Sequence, residues 1–279
     1  MRFGLNLLLW TTHVTPHHEP QLTFLKECGF DGAEVPLFDG TPDHYKEVGA
    51  MFDAVGLQRT CSAGLSPEHN PIDPSASVRQ AAVDRLKWAI DCAEALGADV
   101  LCGPLHSAFK VFSGQGPTEV EMQRSAEVLR EAAEYAATAG VLLAPEALNR
   151  FECYLVNTVA QMRDLCERVD HSSLRAHYDT HHMHIEEHDA AAAVKLCAPV
   201  LGHVHLSESN RGVPGRGQVD WRGTFAALQE VGYDGWCVIE AFSRLDPEFA
   251  AAIHIWRDYF VDPQEVCRDG LKFTRACLR

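Results

Sequence analysis

Eight short apolar runs, each followed by a stretch with helical spacing, predict an α/β protein built from eight strand–helix units. Length and a missing motif decide how those units are arranged. The chain has 279 residues, close to the ~250 that one closed (β/α)8 barrel uses. No GxGxxG follows an early strand, as an open dinucleotide-binding sheet requires. The expected fold is therefore a (β/α)8 TIM barrel, a single domain over residues 1–279 with an extra C-terminal helix at about 263–279.

The elements follow in order. Phe3–Trp10 is the first strand, and Gln21–Cys28 ends the first helix at Gly29. Gly32–Leu37 leads into Pro42–Val55, stopped by Gly56. Gln58–Ala63 leads into Ser77–Leu96, where Val83, Leu86, Ile90 and Ala93 share one helical face before Gly97. Asp99–Leu105 precedes the alanine-rich helix Glu119–Ala139 and its stop, Gly140. Val141–Leu148 is followed by helix Val159–Val169, Leu174–Asp179 by Asp189–Cys197, and Leu201–Leu206 by Trp221–Val231. Trp236–Phe242 is the last strand, before helical segments over Phe249–Tyr259 and beyond Pro263.

Composition narrows the function. A hydrophobic fraction of 46% against 23% charged residues describes a chain that buries a large core, not a disordered one. Acidic residues outnumber basic ones 39 to 24, and the net charge of −15 repels a phosphate backbone, so no nucleic-acid partner is expected. Ten cysteines occur without a CxxC spacing, several inside apolar runs such as Val100-Leu101-Cys102; they read as reduced, buried thiols of a cytoplasmic protein. Leu5–Trp10 is too short for a signal peptide. No stretch approaches the ~20 apolar residues of a membrane span, so no membrane association is expected.

The last four strands each carry an ionisable residue toward their C-terminal end: Glu146, Asp179, His205 and Glu240. In a barrel those ends form the active-site face. Three carboxylates converging there repel one another, and no lysine or arginine at these strand ends can pair with all of them. A divalent cation resolves the conflict, and an oxygen-rich set with one imidazole suits Mn2+ or Mg2+ better than a structural zinc. His177 and His203 share the inward face one layer deeper, where they can orient the ligands.

Around these residues the sequence resembles the D-tagatose/D-psicose (allulose) 3-epimerase family of the xylose-isomerase-like sugar isomerase/epimerase barrels. The stretches that carry the resemblance are Glu146-Ala147-Leu148-Asn149-Arg150-Phe151-Glu152, Asp179 to Glu187, Gly202-His203-Val204-His205 with Ser209-Asn210-Arg211, and Val238-Ile239-Glu240-Ala241-Phe242. The resemblance implies that Glu146, Asp179, His205 and Glu240 bind the metal, usually Mn2+ with Mg2+ or Co2+ accepted, and that Glu146 and Glu240 double as acid and base. It further implies that Glu152, His182 and Arg211 hold the O1–O2 end of a ketose, and that the chain forms a homodimer or homotetramer. The amino-terminal half departs from the family pattern. Asn6, Ser62 and His106 stand where family members contact the far end of the sugar, so they are expected to bind substrate.

C3 epimerisation of a ketose removes the proton α to the C2 carbonyl and returns one to the opposite face, which calls for a group on each side. Paired glutamates on the fifth and eighth strands supply this, whereas an aldose–ketose isomerase needs one base. The expected substrate is a free ketohexose or ketopentose of the D-tagatose, D-fructose/D-psicose or L-ribulose type. Alternatives are a hydroxypyruvate, inosose or aldose–ketose isomerase and a phosphorylated-ketose epimerase with Arg211–Gly217 as its anion loop. Further from these lie an apurinic-site endonuclease and a metal-dependent sugar-binding barrel without catalysis.

Overall fold

The structure, a computed structural model, describes residues 1–278. Its eight strands are β1 (Arg2–Asn6), β2 (Gly32–Pro36), β3 (Gln58–Ser62), β4 (Val100–Gly103), β5 (Leu142–Pro145), β6 (Ala176–Asp179), β7 (Leu201–Ser207) and β8 (Trp236–Glu240). They are parallel and ordered β5-β4-β3-β2-β1-β8-β7-β6. Parallel bridges Leu143–Leu174 and Glu146–His177 join β5 to β6 and close the barrel. The predicted barrel is therefore the observed one.

Local signals set the helices. Those over Pro42–Val55, Glu119–Ala139 and Val159–Val169 have the expected bounds, since each begins at a capping threonine (Thr41, Thr118, Thr158). Glu121 and Gln161 complete capping boxes at the latter two. Seven of the eight strands are shorter than the predicted runs, most of which continue into the loops that build the mouth, while β7 extends one residue past its run to Ser207. Leu7–Leu9 is a 3-10 turn capped by the Asn6 side chain, and β4 stops at Gly103, whose φ of 118° no side chain suits. A Cβ there would lie 2.3 Å from the Ala63 carbonyl oxygen. The helix expected over Phe249–Tyr259 is confined to Pro247–Ala252. Helical turns run from Pro263 to Ala276, with a π-turn at Val266–Gly270.

The barrel interior is layered along its axis. At the bottom, Trp236 packs with Val100, Cys102, Ala144 and Val238, and Arg2 stacks over its ring at 4.3 Å. Above this apolar plug lies a buried polar layer containing Asn6, Glu34, Thr60, His177 and His203. The top layer carries the strand-end acids. Outside the strands, one continuous apolar cluster packs the helices onto the barrel. All ten cysteines are unpaired and eight are buried. Among the described residues no helix is long and apolar enough to cross a membrane.

Candidate active site

Glu146, Asp179, His205 and Glu240 converge at the mouth, with one ligand-type atom from each lying within 4.8 Å of all the others. All four are buried. Asp179 ends β6 and caps the short helix Thr180–Glu186. Its Oδ1 accepts from the backbone N–H groups of His181 (2.5 Å) and His182 (3.0 Å). The His205 ring stands with Nδ1 3.3 Å from Glu240 Oε1 and 3.8 Å from Asp179 Oδ2. Glu146 Oε1 and His205 Nδ1 are buried without a hydrogen-bond partner. Buried polar atoms are rarely left so. Three carboxylates and an imidazole, two of them with orphaned atoms aimed at one point, fit a hard divalent cation of the Mn2+ or Mg2+ kind.

Arg211 supplies what the strand ends lack. Its NH1 donates to Glu240 Oε2 (2.6 Å), Ser207 Oγ (2.8 Å) and Asp179 Oδ2 (3.1 Å). It thereby neutralises two of the three acids but leaves Glu146 unpaired. The arginine comes from the β7–Trp221 loop in a left-handed conformation (φ 61°). Glu208 holds that loop by accepting from the backbone N–H groups of Ser209, Gly215, Gln218 and Val219 and from Trp221 Nε1.

These surroundings drive the acids apart. Burial, reinforced by Asp179 and Glu240, raises the Glu146 pKa well above the usual carboxylate range. Burial also pushes Asp179 up, to about 6, against the pull of Arg211. For Glu240 burial is outweighed by His205 and Arg211, and its pKa is lowered. His205 would be depressed by burial, but Glu34 and Glu240 hold it well above its ordinary value.

The predicted residues divide into two groups. A cavity of about 740 Å3 over the site is lined by Glu146, His205, Glu240, Glu152, His182, Arg211 and Ser62. His182 Nε2 lies 2.9 Å from Arg211 NH2, 3.5 Å from Glu146 Oε1 and 4.0 Å from Glu152 Oε2. The Ser62 hydroxyl is buried with no partner. Asn6 and His106, like Asp179, are not among the residues lining the cavity, and both are fully buried. The Asn6 amide is fully buried, with Nδ2 donating to Glu34 Oε1 (3.0 Å) and Glu240 Oε1 (3.1 Å). Its side chain points into the barrel, between the deeper acid Glu34 and the strand-end acid Glu240.

His106 is likewise fully buried, its Nε2 2.9 Å from the Glu146 carbonyl oxygen and its Nδ1 3.0 Å from Ser107 Oγ. Burial lowers its pKa to about 4. Between pH 4 and ~6.5 the unfolded chain binds a proton that the folded ring refuses, so stability is complete above ~6.5 and falls as pH drops. From pH 7 to pH 5 wild type should lose about 2 kcal/mol more than His106→Gln, read from urea midpoints. Equal losses would show that the ring titrates normally.

Sequence reading missed Glu34. It lies in the buried strand Gly32-Ala33-Glu34-Val35-Pro36, is 0% exposed, and touches both inward-facing histidines of β7, His203 and His205. A single acid on the inward face of an apolar strand was the available signal.

The model of the family described as Xylose isomerase-like TIM barrel matches residues 22–277, the class that this fold and strand-end acid set define. Ketose 3-epimerase of Arthrobacter globiformis is 32% identical over 283 residues, covering 100% of this chain and 97% of that protein. The structure of D-psicose 3-epimerase from Clostridium cellulolyticum H10 with D-tagatose superposes with a TM-score of 0.91 at 30% identity, covering 100% of both chains. D-allulose 3-epimerase from Methylomonas sp. gives 0.93 at 28% identity, covering 100% of this chain and 98% of that one. The chain belongs to the ketose 3-epimerases within the xylose isomerase-like barrels.

A resident cation should also act as a ligand of the folded state. At 100 times its Kd it adds about 2.7 kcal/mol, which raises Tm by roughly 5–10 °C for a chain of this size. EDTA-treated protein scanned with Mn2+, Mg2+ and Co2+ would rank the metals, and no shift with any of them would rule out the cation site.

Proposed function

We propose that this protein is a metal-dependent ketose 3-epimerase, an isomerase-class enzyme acting on free ketohexoses or ketopentoses with Glu146 and Glu240 as its acid/base pair. The observation that carries this is the convergence of those two glutamates, from β5 and β8, on one cavity with unlike surroundings. Glu240, kept ionised against burial by His205 and Arg211, is poised to take a proton from C3. Glu146, which buried N–H donors leave alone, is poised to hold one. As the C3–H bond breaks, its electron pair forms the C2–C3 double bond and charge moves onto the C2 oxygen; delivery of a proton to the other face of C3 then gives the epimer. In the reverse direction the roles exchange. Glu146, Asp179, His205 and Glu240 would hold the cation, for which Mn2+ is our choice, and when bound it supplies Lewis-acid stabilisation of that oxygen charge.

The O1–O2 end of the sugar has donors ready. His182 Nδ1 accepts from the Asn149 backbone N–H (3.0 Å), so a neutral ring carries its proton on Nε2, facing the Arg211 guanidinium. Two donors thus point at each other. A sugar oxygen seated to one side of the pair accepts from both, with the Glu152 carboxylate accepting from a neighbouring sugar hydroxyl. Ser62 Oγ is free to meet a hydroxyl farther along the chain. We place the enzyme in the cytoplasm, in keeping with its unpaired thiols, as a homodimer or homotetramer, in keeping with exposed Phe151 and Trp256.

Proton NMR in D2O tests the reading, with metal-loaded protein and D-fructose, D-tagatose or L-ribulose beside an EDTA-treated control. Metal-dependent deuterium entry at C3 with a 3-epimer signal is expected. Exchange at C1 with aldose formation would replace the epimerase reading by an isomerase one.

A further inference from the structure

Glu34 is a wholly buried acid that the proposed chemistry leaves unused. Glu34 lies beneath the strand-end acids and accepts from donors on four strands. Its Oε1 receives His205 Nε2 (2.7 Å) and Asn6 Nδ2 (3.0 Å), and its Oε2 receives Thr60 Oγ1 (2.8 Å), His203 Nε2 (2.9 Å) and Cys102 Sγ (3.2 Å). A carboxylate with so many donors and no solvent contact accepts only. We infer that Glu34 is a positioning residue: by accepting from His205 Nε2 it keeps that nitrogen protonated, so that Nδ1, which faces Asp179 and Glu240, is the nitrogen that gives up its proton when a cation binds, a role resting on the proposed metal site.

Two features make the geometry directional. The His205 ring is fixed in the plane where Nε2 meets Glu34, with the His177 ring edge-on at 4.0 Å between centroids, so it cannot turn over to present Nε2 upward. Asn6 then carries the same constraint outward. Its one amide nitrogen gives one hydrogen to Glu34 and the other to Glu240 Oε1, tying the orientation of Glu240 to that of the acid below it.

Glu34→Gln keeps the shape but brings an NH2 among five donors. Where that NH2 meets His205 Nε2, the ring proton is forced onto Nδ1, the face that must hold the cation. In competition titrations of the whole chain, Mn2+ affinity should fall by about 10–100-fold, the visible spectrum of the Co2+-loaded protein should change, and Glu34→Asp should recover part of both. A purely structural acid would lower Tm without altering the Co2+ spectrum. Long-range 1H–15N NMR of Mg2+-loaded wild type gives a second reading that needs no variant, with the His205 proton expected on Nε2. Mn2+ affinity of Glu34→Gln within threefold of wild type, or a His205 proton on Nδ1, would overturn the positioning role alone. A wild-type chain that binds no divalent cation would overturn the metal site and this role with it.

Discussion

Glu240→Gln should lower kcat for ketose 3-epimerisation by about 10^3–10^4-fold while leaving C3 exchange measurable from one epimer. Glutamine matches glutamate in size and still meets Arg211 NH1 with its carbonyl oxygen, so the pocket persists. What disappears is an anionic oxygen able to take a proton, and general acid–base catalysis is worth about 10^2–10^4-fold per group before any loss of metal affinity. With two bases on opposite faces, removing one prevents inversion, but Glu146 can still remove and return a proton on its own face. Glu146→Gln should show the mirror pattern, with exchange surviving from the other epimer. Incubating each variant in D2O with each epimer, and following deuterium at C3 separately from product, distinguishes the outcomes. Loss of exchange from both epimers in both variants would mean that the glutamates only hold the metal and that the base lies elsewhere.

Arg211→Ala should reduce kcat/KM by at least about 100-fold and destabilise the metal-free protein by about 3–5 kcal/mol, roughly 10 °C in Tm. The guanidinium is buried, and one nitrogen serves Asp179, Glu240 and Ser207 while the other meets His182. Without it, two buried carboxylates lose their cation. Arg211→Lys should not restore activity, because a single ammonium cannot reach the carboxylates and His182 in one plane. Added Mn2+ should return part of the lost Tm, since it supplies charge to the same acids, but not the lost kcat/KM. Steady-state kinetics and thermal scans with and without Mn2+ check both. Near-wild-type kcat/KM in Arg211→Lys would reduce the residue to a simple counter-charge.

Much of this was legible before any coordinates. The alternation of apolar runs and capped helices encodes the barrel locally, because a threonine cap or a left-handed glycine acts within a few residues of itself. Glu146, Asp179, His205 and Glu240 were legible because each is the costly polar end of an apolar strand, and a barrel puts such ends on one face. For Asn6 and His106 the chain position does not tell how deeply they lie: both are fully buried, Asn6 against Glu34 and Glu240 and His106 against the Glu146 carbonyl oxygen.

Other features arise only when the barrel closes. Glu34 is one acid in a five-residue strand, and its partners are 26 to 171 residues away, on β1, β3, β4 and β7. Nothing local marks β2 as facing β7 across the interior. Similarly, the resemblance puts Arg211 at the sugar, but nothing local shows that it also pairs with Asp179 and Glu240; the five N–H groups gathered by Glu208 hold its loop against the acid cluster. The sequence by itself determined the fold class and the set of ionisable strand-end residues, because those depend on periodicity and on which residues end each strand. The tertiary structure decided which acids are paired, which histidine nitrogen faces the site and which side chains reach the cavity. Those depend on distances between strands remote in sequence, and burial there turns each contact into a shift in charge state.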